Sequence, residues 1–150
     1  MPSLTCASMP DIGFYILASR SERDRQLFAC KLTEKAYRSG RLCYLLTDDP
    51  QQSAMLDDLL WTFRPGSFVP HHLYDGMAPD RANVVLIGHL GVPDDWRDIV
   101  INLSTRIPDN WMNSERILEI LDDSEESKGP GRIRYQQYRQ AGLSVVTHKM

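Results

Sequence analysis

Arg132, Tyr135, Gln136 and Arg139 have the side-chain types and the spacing to grip a carboxylate. On a helix their i, i+3, i+4, i+7 pattern places them within an arc of about 100°. A guanidinium binds a carboxylate through two parallel hydrogen bonds, and a tyrosine ring packs beside an apolar side chain. The stripe therefore suits a peptide that ends in an apolar residue with a free carboxylate. Leu121, with Ile120 beside it, is the candidate floor of such a pocket. On spacing alone a solvated helix face is the simpler reading, so the pocket needs a further reason.

Other chemistries find less support. His71, His72, His89 and His148 form no i, i+4 pair and no H-E-x-x-H, and adjacent His71 and His72 point apart in extended backbone, so no metal site is expected. Ser67 and His71 stand in no G-x-S-x-G elbow. Asp48-Asp49, Asp57-Asp58 and Asp122-Asp123 are paired only in sequence, and helix caps or solvated faces account for them. Cys6, Cys30 and Cys43 are odd in number with no C-x-x-C, which predicts reduced thiols in a cytoplasm and neither a disulfide framework nor a zinc site. No catalytic residue and no cofactor is expected.

The elements that must position the stripe follow from apolar runs and their punctuation. Ile12–Ala18 reads as a strand, followed by Ser21 as the N-cap of a helix carrying Phe28, Leu32 and Ala36 and stopped at Ser39-Gly40. Leu42–Leu46 is a second strand, and Thr47-Asp48-Asp49-Pro50 starts a helix through Leu60. Residues 61–79 are broken by Pro65, Gly66, Pro70, Gly76 and Pro79, which predicts an irregular segment with at most a short strand near Phe68. Val84–Ile87 and Ile99–Leu103 look like buried strands, while 117–121 is strand or helix by period alone. Arg132–Ala141 reads as helix stopped by Gly142, and Leu143–Thr147 as a last strand.

The alternation predicts one α/β domain over residues 1–150, three-layered and Rossmann-like, with a largely parallel sheet and a flexible start over residues 1–10. Nucleotide binding would need backbone amides free to approach phosphates at the first strand–helix turn. That turn reads Ala18-Ser19-Arg20-Ser21, without G-x-G-x-x-G or a Walker A lysine, so no nucleotide-binding loop is expected. No segment approaches the roughly 20 apolar residues of a membrane span, and the start lacks a basic n-region. The chain is read as soluble, unsecreted and cytoplasmic.

The net charge of −3 is unevenly spread. Residues 94–126 carry ten carboxylates against Arg97, Arg106 and Arg116, whereas 128–150 carry Lys128, Arg132, Arg134, Arg139 and Lys149 and no acid. A basic end on an acidic chain suits an anionic partner that docks locally. Trp61, Phe63, Phe68, Val69 and Pro70 concentrate aromatics beside rigid prolines, which describes either an interface anchor or a loop capping the core. Trp96 and Trp111 are read as packing residues.

Leu56-Asp57-Asp58-Leu59-Leu60-Trp61, followed by Ser67-Phe68-Val69-Pro70-His71 and Leu73, resembles the central signature of the chi subunit family of bacterial DNA polymerase III. The resemblance extends to Phe14–Leu17, Ser39-Gly40, Asp98–Leu103 and the Tyr135, Tyr138-Arg139, Ala141-Gly142 end. It implies a non-catalytic accessory subunit of the polymerase III holoenzyme, associated with the clamp loader. The subunit would link the psi subunit to the acidic C-terminal tail of single-stranded DNA-binding protein, reaching other clamp-loader subunits and nucleic acid only indirectly. Leu121, Arg132, Tyr135, Gln136 and Arg139 would take the tail, and Trp61, Phe68 and Pro70 would take psi. Two departures stand out: Gln136 occupies a position where a lysine is common, and Gly129-Pro130-Gly131 interrupts a stretch usually more helical. The rival readings are a small nucleotide-binding or hydrolytic α/β enzyme and a direct nucleic-acid binder, the latter disfavoured by so confined a basic stretch.

Overall fold

A computed structural model describes residues 9–80 and 83–150. Most of the expected flexible start, residues 1–8 with Cys6, lies outside the described residues. Among the described residues, seven strands, β1 (Asp11–Ile16), β2 (Cys43–Leu46), β3 (His71–Leu73), β4 (Val85–Gly88), β5 (Ile99–Asn102), β6 (Arg116–Leu121) and β7 (Val145–Lys149), form one sheet. Its order is β3-β4-β2-β5-β6-β1-β7, and every neighbouring pair is parallel. Parallel neighbours require crossover connections, which the helices α1 (Glu22–Arg38), α2 (Pro50–Thr62) and α3 (Glu125–Gln140) help to supply. β2, β4 and β5 are buried at every position, as expected of strands covered on both faces.

The helix boundaries follow local chemistry. Ser21 Oγ accepts from the Asp24 amide at 3.2 Å to cap α1, and Gly40, at φ 80°, turns the chain after it. Asp49 Oδ1 accepts from the Gln52 amide at 2.8 Å, and Pro50 opens α2. α1 differs from expectation in phase: its buried stripe runs through Ala29, Cys30, Thr33 and Ala36, while Phe28 and Leu32 are only partly covered. α2 runs two residues past Leu60, to Thr62, so Trp61 stands on a helix. The short strand expected near Phe68 forms at His71–Leu73 instead, and 116–121 is a strand. No helix among the described residues is long and apolar enough to cross a membrane.

α1 and α2 cover one face of the sheet, where Ala29, Cys30, Leu56 and Leu60 meet Leu45, Ile87, Ile101 and Ile120. Burial pushes the Cys30 and Cys43 thiols up to about 12, as suits inert core residues. α3 covers the other face, where Tyr138 packs with Phe14, Tyr44, Val100, Ile117 and Leu121. Trp96 is buried there and its indole N–H donates to the Val84 carbonyl at 2.8 Å. Trp111 stands edge-on to Tyr138 at 5.1 Å, so both tryptophans are indeed packing residues.

α3 begins at Glu125, seven residues before the expected Arg132, and passes through Gly129-Pro130-Gly131. Two glycines and an internal proline weaken a helix by their own propensities, so other interactions must hold it. Ser124 caps it, accepting from the Ser127 amide at 3.3 Å. A buried ionic cluster orients it further. Glu119, on the α3 side of β6, receives Arg134 Nε and Nη2, each at 3.0 Å, and the Tyr138 hydroxyl at 2.7 Å. Asn102 Nδ2 donates to both of its oxygens, at 3.0 and 3.1 Å. Burial pushes the Glu119 carboxyl above its ordinary value, and Arg134, Tyr138 and Asn102 oppose that rise.

Arg134→Ala, which strands a buried carboxylate, is expected to lose about 3–5 kcal/mol of stability, measured by urea unfolding. A loss below about 1 kcal/mol would show that α3 is held by something other than this pair.

Candidate functional site

β6 and α3 bring most of the carboxylate-gripping stripe to one groove. Leu121, Arg132, Tyr135 and Gln136 line a cavity of about 230 Å³ with Phe14, Ile16, Gly131 and Thr147. β1 supplies Phe14 and Ile16, β6 supplies Leu121 as the floor, and β7 supplies Thr147. Strand alternation explains the corresponding failure of Ile120, which points into the core beneath α1 and α2.

Gly131 sets the depth of the groove. A Cβ there would stand 2.6 Å from Leu121 Cδ1 and 3.0 Å from Cδ2, so glycine lets α3 rest on β6 without displacing the Leu121 methyls. Gly131, Arg134 and Tyr138 form the buried face of α3, which leaves Arg132 and Gln136 exposed at the rim and Tyr135 half-buried between them. Tyr135 meets Phe14 edge-on at 5.5 Å, a favoured geometry for an aromatic pair.

The charges of the basic end mostly have partners. Lys128 pairs with Asp123 at 2.9 Å. Arg132 donates to both oxygens of Glu125, at 3.1 and 3.4 Å. That hydrogen bond and the Arg132 charge hold the Glu125 carboxyl below its ordinary value. Arg139 lies beside the groove: its Nη1 donates to the Tyr135 hydroxyl at 3.4 Å, and its guanidinium sits 6.0 Å from the ring centroid. Arg134, counted with the basic end in the sequence, belongs to the core.

The second surface forms where α2 ends beside β3. Trp61 and Phe68 are 55% and 67% exposed with ring centroids 6.1 Å apart, although burying either would be favourable. Val69 is buried and Phe63 packs against the α1/α2 core, so those two cap the core. Pro70 is half-buried, its carbonyl accepting from the Val85 amide at 2.9 Å. His71 is buried against Trp61, with Nδ1 2.6 Å from the Val69 carbonyl and Nε2 3.1 Å from that of Asp57, so it orients the patch.

Two other cavities carry less chemistry. One, about 780 Å³ at the N-terminal ends of the strands, is lined by charges that pair with one another, such as Arg41 with Glu115 at 2.7 Å. A cavity of about 300 Å³ opens at the C-terminal ends, where such sheets often bind ligands. Arg25 crosses it, donating to the Leu103 and Ile120 carbonyls at 3.2 and 3.0 Å, and Glu22 and Asp24 stand in the first turn of α1. Acids at that helix end oppose an incoming phosphate. Among the described residues, no group of three or more His, Cys, Asp or Glu is placed to hold a metal ion.

Fold and site together define a parallel α/β protein whose distinctive surfaces are an arginine-rimmed apolar groove and an exposed aromatic patch. The family model described as DNA polymerase III chi subunit, HolC, matches residues 9–146. The chain is 32% identical over 142 residues to DNA polymerase III subunit chi of Pseudomonas aeruginosa, covering 95% of this chain and 98% of the relative. It is 27% identical over 143 residues to the Escherichia coli subunit of the same name, covering 93% and 97%. The chain belongs to the DNA polymerase III chi subunit family. Among solved structures, T4 UvsW matches with a TM-score of 0.62 at 9% identity, over 93% of this chain and 41% of that one, a likeness of fold alone.

The groove residues that sequence reasoning missed are Gly131, Phe14, Ile16 and Thr147. A helical glycine facing an apolar strand is a local signal that could have flagged the first, but the others come from distant strands. Gly131→Ala is expected to leave the chain folded, because Leu121 presents only the flexible end of its side chain. Its two methyl resonances should shift as they are pushed aside, and unchanged Leu121 methyl spectra would refute this account of the groove.

Proposed function

We propose that this chain is a non-catalytic accessory subunit of DNA polymerase III, a single Rossmann-like domain used without a nucleotide, working in the cytoplasm. It joins a psi subunit, at Trp61, Phe68 and Pro70, to the C-terminal tail of single-stranded DNA-binding protein, at Leu121, Arg132, Tyr135, Gln136 and Arg139. Other clamp-loader subunits and nucleic acid are reached only through these partners. The observation that carries the reading is the convergence of Leu121, Arg132, Tyr135 and Gln136 on one small groove. An apolar terminal side chain enters between Leu121, Phe14 and Tyr135, and its carboxylate meets the Arg132 guanidinium at the rim. Family membership supports the same assignment.

The aromatic patch supports the second half of the reading. Trp61, at the end of α2, and Phe68, in the connection that follows, are large, rigid and exposed beside the core, which suits anchors at low entropic cost. β3 and β1 stand five strand spacings apart, about 24 Å, and the patch and groove lie on helices covering opposite faces. Sites so separated act independently unless a shared element couples them.

A labelled acidic peptide ending in an apolar residue is expected to bind in the micromolar range, about −8 kcal/mol. Arg132→Ala and Tyr135→Ala should each lose at least about 1 kcal/mol, Gln136→Ala less, and Trp61→Ala nothing. Wild-type affinity in both folded groove variants would place the tail elsewhere. Trp61→Ala and Phe68→Ala should each weaken psi by about 2 kcal/mol or more while thermal unfolding stays near wild type. Folded variants that retain full psi affinity would remove the second site.

A further inference from the structure

The guanidinium that rims the groove already holds a carboxylate. Arg132 and Glu125 lie two turns apart on the same face of α3, and the two terminal nitrogens of Arg132 reach the two oxygens of Glu125 separately. This is the two-point geometry that a peptide's terminal carboxylate would use. Both side chains are mostly exposed, 63% for Arg132 and 76% for Glu125, so the pair can open without disturbing the core. Glu126, next in the chain and in the same first turn, lines the cavity at the C-terminal ends of the strands instead of the groove.

We propose that Glu125 is an internal stand-in for the ligand carboxylate, so that tail binding exchanges one carboxylate for another on Arg132. The inference rests on the tail reading above. It makes Glu125 a specificity-determining residue. A ligand that offers only a side-chain acid gains little over the intramolecular partner, which is present at high effective concentration. A free C-terminus that also seats an apolar side chain against Leu121 gains from both contacts. The exchange therefore favours chain ends over internal acidic stretches.

The test titrates a labelled acidic peptide ending in phenylalanine into wild-type protein, Glu125→Gln, Glu126→Gln, Arg132→Ala and Glu125→Gln/Arg132→Ala. Glu125→Gln is expected to bind about threefold tighter, within the range of an exposed ion pair. Glu126→Gln removes the same charge from the same helical turn and should change affinity much less. The gain from Glu125→Gln should disappear in the Arg132→Ala background. Equal gains in Glu125→Gln and Glu126→Gln would reduce the effect to overall charge and overturn the exchange, as would a gain that persists without Arg132. If Arg132→Ala weakens binding while Glu125→Gln leaves it unchanged, the exchange alone fails. Wild-type affinity in Arg132→Ala overturns the exchange, and the tail reading falls with it when Tyr135→Ala also binds at wild-type strength.

Discussion

A carboxylate, a guanidinium and a phenol buried under α3 determine how that helix sits, and the groove depends on that placement. α3 has no aliphatic side chain on its inward face: Gly131, Arg134 and Tyr138 are its buried residues, and Ile133 is exposed. Its apolar burial comes chiefly from the Tyr138 ring, with Tyr135 partly covered, and two glycines and a proline oppose the helix. Glu119 adds to that packing by engaging Arg134 and Tyr138 one turn apart. Such a cluster is directional where apolar packing is not, so it fixes the rotation of α3 about its axis. With Arg134 turned inward, Arg132, Tyr135 and Gln136 can only face the groove and its rim.

Closeness of approach is the second constraint. Gly131 permits α3 to rest on Leu121, and the short distance converts a helix–strand seam into a shallow pocket with an apolar floor. The flanking proline forfeits one helical hydrogen bond, a cost the ionic cluster offsets. Stability and shape are thus coupled through three successive turns of one helix. The aromatic patch is built differently, on an α2 end backed by Leu56, Leu59 and Leu60 and oriented by the buried His71. Each surface stands at its own edge of a single sheet, a rigid spacer between two docking points in the proposed role.

Local chemistry made much of this legible in the sequence. Ser21, Asp49-Pro50, Gly40 and Gly142 mark helix boundaries because capping and positive φ are requirements of a few neighbouring residues. Buried strands announced themselves as continuous apolar runs. The arginine–tyrosine stripe was readable because helical spacing is local, and it pointed to three of the groove's residues, Arg132, Tyr135 and Gln136. Misreadings occurred where distant segments decide. α3 starts at Glu125 because Glu119 and Ser124 hold it, against the propensity of Gly129-Pro130-Gly131. Arg134 looked like one more exposed charge, since the acid that buries it lies on another element.

By itself, then, the sequence determined the alternation of strands and helices, their caps, the family, and which face of α3 could carry the stripe, because each depends on spacing within a few turns or on a contiguous motif. Tertiary structure alone decided the strand order, the walls that Phe14, Ile16 and Thr147 give the groove, and the separation of the two surfaces. It also decided that Arg132 meets the groove already paired while Arg134 lies in the core. The physical reason is that burial and pairing are properties of what surrounds a side chain, and for these residues the surroundings come from strands adjacent in the sheet but remote in the chain.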